Sequence, residues 1–171
     1  MPTDKLYNDI THFGATSFRG VVTLPDDTIV DAKVNADADI GYDKVRHVHH
    51  VTLAQPDGTA ATTEDRIKFI ARAACTILAV DYTIMTAAAG AATVDIDVET
   101  STGGGAFATI LTGPEQIDNA TVVRVVLNGT LDGAQTMAVN DLLLISLTAT
   151  AGGGTLPQGV SVDVTIAEQG Q

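Results

Sequence analysis

The chain has 171 residues, 45% of them hydrophobic and 4% aromatic, a composition that suits one domain, with or without an arm, around an aliphatic core. Its net charge is −12, and beyond residue 72 ten acidic residues accompany a single basic one, Arg124, so the surface repels phosphate backbones and we expect no nucleic-acid partner. The sequence shows no signal peptide, and no apolar run reaches the roughly eighteen residues of a membrane span, so we expect no membrane partner either.

Residues 1–60 are polar and rich in aspartate, and we predict that they form an extended arm and linker. The stretch "RGVVTLPDDTIVDAKV" predicts a β-hairpin, because Pro25 and the two aspartates after it favour a turn between two apolar runs. The stretch "VNADADI" alternates with period two, but its apolar side is mostly alanine and buries little. We therefore expect this segment to be stabilised by lying against another surface.

Residues 61–171 predict an antiparallel β-sandwich that resembles a jelly roll. Seven or eight short apolar runs follow one another at spacings near ten residues, separated by Gly, Pro, Asn and Asp. Strict alternation in "ATVDIDVET" and "VSVDVTIAE" predicts that one side of each strand faces the core. "RIKFIARAA" predicts a strand with Ile67, Phe69 and Ala71 on one side, and "TVVRVVLNG" predicts another strand. "GPEQIDNA" predicts one helical turn that begins at Pro114.

The domain is also expected to self-associate. "TILAV" and "LLLISL" are apolar on both sides, so each strand needs cover from a second sheet and from another subunit. We predict a homotrimer.

No catalytic constellation is visible in the sequence. The glycine runs "STGGG" and "AGGGT" lead into no helix and contain no Lys, unlike phosphate-binding loops. The single cysteine, Cys75, lies in an apolar run and is expected to be a buried core residue rather than a nucleophile. We predict that the protein is not an enzyme and that it uses no cofactor.

The stretch "VRHVHH" holds three of the four histidines of the chain. In a strand His47 and His49 share one face and His50 points to the other. Two interpretations stay open, a metal site and a structural junction. A metal needs a third ligand, and Asp43 would lie roughly 13 Å from His47 at about 3.3 Å per residue. We favour a junction in which the histidines pair with carboxylates such as Asp43 or meet at a three-fold axis, and we predict no metal.

The segment from Gly20 to His50 resembles the capsid-binding arm of decoration (cement) and head-fibre proteins of tailed bacteriophages. The resemblance is carried by a "TLP" turn, then "IVDAKVNADADI", then a lysine and a histidine. In addition, "AVNDLLLISL" resembles a turn and strand of such domains, with Asn140 in the place of the usual glycine. Asn is the residue next best suited to a left-handed turn.

The resemblance implies a structural virion protein on the outer surface of a phage capsid, with the major capsid protein and two further copies of itself as partners. The arm residues that it implicates in capsid binding are Phe18, Val22, Leu24, Pro25, Ile29, Val34, Ala38, Ile40 and Lys44. The alternative is a head-fibre or tail adhesin that binds host glycan. The low aromatic content argues against that alternative, because sugar-binding platforms favour Trp and Tyr.

Overall fold

The computed structural model describes residues 47–168, which fall within one compact unit. This part of the chain forms two antiparallel five-stranded sheets and no helix, so the predicted all-β sandwich is confirmed. It also contains no helix that could cross a membrane. The first sheet consists of β1 (His47–Ala54), β3 (Cys75–Thr83), β7 (Leu127–Asn128), β8 (Gln135–Met137) and β10 (Ser161–Glu168). The second sheet consists of β2 (Glu64–Ile70), β4 (Thr93–Ser101), β5 (Ala108–Thr109), β6 (Glu115–Ile117) and β9 (Leu142–Thr150).

The connectivity is that of a jelly roll. The first sheet has the order β1-β10-β3-β7, with β8 also paired to β3, and the second has the order β2-β9-β4-β5, with β6 also paired to β4. If the short pairs β5–β6 and β7–β8 each count as one interrupted strand, the chain changes sheet at every step except from β4 to β5–β6, which gives two four-stranded sheets connected as in a jelly roll. Strands β1 and β2 are therefore edge strands of the two sheets.

The core lies between the sheets and is aliphatic, as the composition predicted. The inward residues of β4 and β10 are fully buried, which confirms the alternation seen in the sequence; they are Val94, Ile96, Val98, Val162, Val164 and Ile166. Strand β9 contributes Leu143, Ile145 and Leu147 in the same way. Cys75 is buried among them, as expected.

Two β-bulges change the faces that simple alternation predicts. In β3 the pairing with β10 passes from Ile77 directly to Ala79, so Leu78 is the extra residue, and its side chain is 41% exposed. In β2 the register shifts between Ile67 and Phe69, which leaves Ile67 53% exposed. The prediction that Ile67 lies on the same side of the strand as Phe69 is therefore wrong.

Two other elements differ from their predicted form. The expected helical turn at 113–120 is instead strand β6, because Ile117 is fully buried when the segment pairs with β4. The expected strand at 121–129 is reduced to Leu127–Asn128, and the residues before it form turns. One cause is Asp118, whose carboxylate accepts hydrogen bonds from the Ala120 amide and the Thr121 hydroxyl at 2.8 and 3.2 Å and so folds the chain back.

The sandwich begins before residue 61, where the sequence placed its start. Strand β1 pairs with β10 along its whole length, and its Val51 and Leu53 side chains are buried in the core. The turn that follows is attached as well, because the Gln55 amide donates to the Val160 carbonyl at 2.8 Å. Residues 47–60 therefore belong to the sandwich and not to an arm. Residues 1–46 lie outside the described residues, and so do all of the predicted arm contacts.

Candidate functional site

The three histidines of "VRHVHH" lie at the start of the edge strand β1, where the sandwich begins. As predicted, His49 and His50 point to opposite faces of the sheet, and His47 shares the side of His49. His49 is half-buried, whereas His47 and His50 are exposed. The described histidines are therefore part of the sheet itself and not of a linker beside it.

His49 lies at the edge of the sandwich and contacts both sheets. Its ring lies 5.6 Å from the ring of Phe69 on β2, at a tilt of 45°. Its Nε2 atom is 3.2 Å from a carboxylate oxygen of Glu168 on β10. This histidine thus contacts one side chain from each sheet, which is a structural role within a single chain.

His50 lies on the outer face of the first sheet and contacts β10. Its Nδ1 atom is 2.9 Å from one carboxylate oxygen of Asp163, and the Thr52 hydroxyl donates to the other at 2.7 Å. The side chains of His50 and Asp163 are 64% and 30% exposed, so the pair is worth about 1 kcal/mol or less. The partners of His49 and His50 are thus carboxylates of the adjacent strand β10. The expected partner, Asp43, lies outside the described residues.

The described residues contain no group of three or more His, Cys, Asp and Glu side chains that could hold a metal ion. His49 and His50 face opposite sides of the sheet and each contacts a different carboxylate, so their rings do not converge on one point.

The single described cysteine, Cys75, behaves as a core residue. Burial, followed by the charge of Glu168, raises the pKa of its thiol. The Cys75 thiol donates to the Ala73 carbonyl at 3.1 Å, which suits a core residue.

A second surface was missed in the sequence. Residues 121–126, here called the valine loop, connect the two sheets between β6 and β7. All four valines of the loop are exposed: Val122 by 57%, Val123 by 37%, Val125 by 46% and Val126 by 64%. Their β-propensity predicted a strand, and the signal that could have indicated a loop is the Asp118–Asn119 pair just before them.

Arg124 stands at the centre of the valine loop in a left-handed backbone conformation, with φ of 58°. Its amide donates to the Ile84 carbonyl at 2.8 Å, which holds the loop against the end of β3. The ion pairs within residues 47–168 are His49–Glu168, His50–Asp163 and Arg66–Glu64, so Arg124 forms none with a described residue. An arginine in this conformation carries a strain of order 1 kcal/mol that Gly or Asn would avoid.

The outer face of the second sheet carries a group of carboxylates, here called the acidic face: Asp65 on β2 with Asp97 and Glu99 on β4. Asp65 and Asp97 are both aligned with Ser146 of β9, and the Ser146 hydroxyl donates to Asp65 at 2.6 Å. Burial, followed by the charges of Asp97 and Asp65, raises the pKa of Glu99. No ion pair of the described residues includes these three carboxylates.

Near the acidic face, Arg66 pairs with a carboxylate outside that group. Arg66 contacts Glu64, and the pKa of Glu64 is lowered, first by a hydrogen bond from Gln55 and then by Arg66. Gln55 is itself buried and donates to both Glu64 and the Thr62 carbonyl, at 3.2 and 2.8 Å. This cluster fixes the turn between β1 and β2, and within the described residues its Arg66 forms an ion pair with Glu64 and not with the acidic face.

The described surface offers no aromatic platform for a sugar. The aromatic residues within 47–168 are Phe69, Tyr82 and Phe107, and none of them is exposed. Tyr82 lies in the core, where burial, followed by Glu115, raises the pKa of its hydroxyl.

Comparison with known proteins gives no match to a protein-family model and none to a curated protein.

Proposed function

We propose that this protein is a structural virion protein that decorates the outer surface of a tailed-phage head and stabilises it. The proposal is supported by the division of the chain. A compact jelly roll begins at His47, and directly before it stand 46 residues whose segment from Gly20 onward resembles a capsid-binding arm. In this proposal the arm binds the major capsid protein, the sandwich projects outward, and three copies associate.

The observation that carries the proposal is the position of β1. It is the edge strand of the first sheet, and its first residue is covalently joined to the arm segment. A chain that enters a sheet at its edge keeps the sandwich core intact whatever the preceding segment binds. An independent anchor and a self-sufficient domain are what a decoration protein requires.

The acidic surface and the nature of the described clusters agree with this role. His49, His50, Cys75 and the buried carboxylate of Asp141 are all engaged in contacts within the sandwich. The net charge of −12 over the whole chain favours its solubility when it is displayed at high density on a particle. The glycan-binding alternative lacks support on the described surface, because Phe69, Tyr82 and Phe107 are not exposed.

The location of the chain in an intact particle tests the proposal. Tailed particles from the source of this sequence are labelled with an antibody raised against residues 47–168 and are viewed by electron microscopy. We expect regular labelling of the head surface. Labelling of the tail tip alone would favour the adhesin, and absence of the chain from the particles would exclude both functions.

The anchor is tested on heads from which the protein has been removed. The full chain is expected to rebind them, whereas a chain that begins at His47 should fold and fail to bind. Two full-length variants, Leu24→Asp and Ile40→Asp, should reproduce the loss if the implicated arm residues contact the capsid. Thr52→Ala, on the exposed face of β1, serves as the matched control and should bind normally. Normal binding by the chain that begins at His47 would show that the arm is not the anchor.

A further inference from the structure

We propose that the valine loop binds the acidic face of a second copy of this chain, with Arg124 directed at the carboxylates of Asp65, Asp97 and Glu99. The contact supplies the self-association surface of the homotrimer and in that respect rests on the proposed function. It concerns the sandwich alone and can be measured without a capsid.

The first argument is the apolar character of the loop. Four valines within five positions are between 37% and 64% exposed, whereas the inward valines of β4 and β10 are fully buried. Contiguous exposed apolar side chains around a polar centre are typical of protein–protein interfaces, where arginine is enriched as well. Val139, in the turn before β9, is also 49% exposed, but it stands alone. The loop therefore differs by its run of neighbouring valines and not by the exposed fraction of each one.

The second argument is the identity of the residue at the strained position. The other non-glycine residue with positive φ in the described chain is Asn140, at 73°, where the side-chain type suits the conformation. At position 124 the chain carries an arginine at φ 58° instead. Backbone strain of this kind is retained where the side chain serves a purpose, and the exposed guanidinium is the group that an Asn or Gly would remove.

The third argument, charge complementarity, identifies the partner. Arg124 is the only basic residue after position 72, so it is the one cation that this region can offer. The acidic face has the opposite character, since three carboxylates share one sheet surface and their mutual repulsion contributes to the raised pKa of Glu99. An arginine from a neighbouring subunit would relieve that repulsion, and guanidinium suits such a contact because it can bind two carboxylate oxygens at once.

The size of the loop requires a broad partner. A stable interface buries about 800 Å² on each side, which is more than a six-residue loop supplies. The outer face of a five-stranded sheet can also contact residues around the loop, and Thr109 and Ser146, which donate hydrogen bonds to Asp97 and Asp65, add polar groups beside the carboxylates. Because the loop and the acidic face are different surfaces, the contact is heterologous and repeats around a ring, as a trimer requires.

The loop also lies at the end of the sandwich opposite His47. It is attached to Ile84, one residue beyond β3, at the end where Thr83 pairs with Ser161. His47 pairs with Glu168, and Glu168 with Cys75, at the opposite end of the same strands. A strand of eight residues spans roughly 23 Å at about 3.3 Å per residue, so the loop is well separated from His47.

Sedimentation of the full chain over a range of concentrations tests the proposal. Arg124→Glu is expected to raise the dissociation constant at least about tenfold, because it places a carboxylate against carboxylates. Arg124→Asn keeps a residue that tolerates the left-handed backbone and should weaken association less. Val122→Ser with Val125→Ser should also dissociate the protein. Arg72→Glu and Val139→Ser, at exposed positions away from the loop, are the matched controls and should sediment like the wild type.

Charge exchange identifies the acceptor. Asp97→Arg in the chain that carries Arg124→Glu should restore association, and each single variant should be impaired. A photo-crosslinking analogue at Val125 should link to β2 or β4 of another copy. Far-UV circular dichroism confirms that every variant is folded. A monomeric wild type, loop variants that associate normally, failure of the charge exchange, or crosslinks to residues 1–46 would each overturn the proposal.

Discussion

The position of β1 predicts that two truncations less than fifteen residues apart have opposite effects. A chain that begins at His47 keeps the strand, and a chain that begins at Thr59 loses it. Without β1, the core loses the Val51 and Leu53 side chains, and the edge of β10 loses its hydrogen-bonding partner. The first chain should fold and the second should not.

The magnitude follows from the burial. Val51 and Leu53 contribute about 1.5–3 kcal/mol each. The hydrogen bonds between β1 and β10 add about 1 kcal/mol each over eight aligned residue pairs. The total is comparable with the 5–15 kcal/mol that stabilises a typical domain. We therefore expect the chain that begins at Thr59 to be unfolded or aggregated at 25 °C.

Far-UV circular dichroism with thermal and urea unfolding measures the difference. Leu53→Ala in the full chain is the graded version and should cost about 2–5 kcal/mol. Thr52→Ala, on the outer face of the same strand, should cost about 1 kcal/mol, because it removes one exposed hydrogen bond to Asp163. Cooperative unfolding of the chain that begins at Thr59, with the same midpoint as the chain that begins at His47, would refute the reasoning.

Three further predictions concern side chains within the sandwich. Asp141→Ala should lower the free energy of unfolding by about 3–5 kcal/mol, because its buried carboxylate accepts from the Ala138 and Gly103 amides at 2.8 and 3.1 Å; Asp132→Ala, in an exposed turn, should change it by less than about 0.5 kcal/mol in urea unfolding. Glu99→Gln should stabilise the protein at pH 7 by less than about 1 kcal/mol. The raised pKa of Glu99 means that ionisation opposes folding, so this gain should shrink as the pH falls through the folded-state pKa and vanish below the usual value of 4.5; a constant gain across a pH series would contradict it. His49→Ala should lower the melting temperature by removing contacts to both sheets, and EDTA should leave the wild-type melting temperature unchanged; a chelator-sensitive melt that zinc restores would overturn the structural interpretation of the histidines.

Strong alternation was enough to predict the inner strands. From Val94 to Val98 in β4 and from Val162 to Ile166 in β10 every second residue is aliphatic and the intervening ones are polar, so a shift by one residue would bury Asp95 or Asp163. The left-handed turn at Asn140 was predictable for a similar reason, since few residues tolerate that backbone, and its φ of 73° confirms it. These features depend on local chemistry, which the sequence states directly.

The missed features depend on partners that are distant in sequence. Nothing local indicates that Leu78 is a bulge residue, because the bulge exists only in the pairing of β3 with Thr165 and Ile166 of β10, which leaves Leu78 unpaired. The contacts of His50 and His49 with Asp163 and Glu168 likewise join residues more than 110 positions apart. The sequence could indicate that the histidines need carboxylates, but only the order of strands shows which carboxylates are adjacent.

The valine loop shows how intrinsic propensity misleads when a tertiary contact decides the conformation. Valine favours strands, and a valine-rich run with one arginine predicts one. The hydrogen bond from the Arg124 amide to Ile84 and the Asp118 turn instead hold the run as a loop, with its apolar side chains in water. A chain does not stabilise its own fold by exposing valines that a regular strand would half bury. The proposed contact with the acidic face of a second copy would take these valines out of water and would place Arg124, the one cation of the loop, against carboxylates.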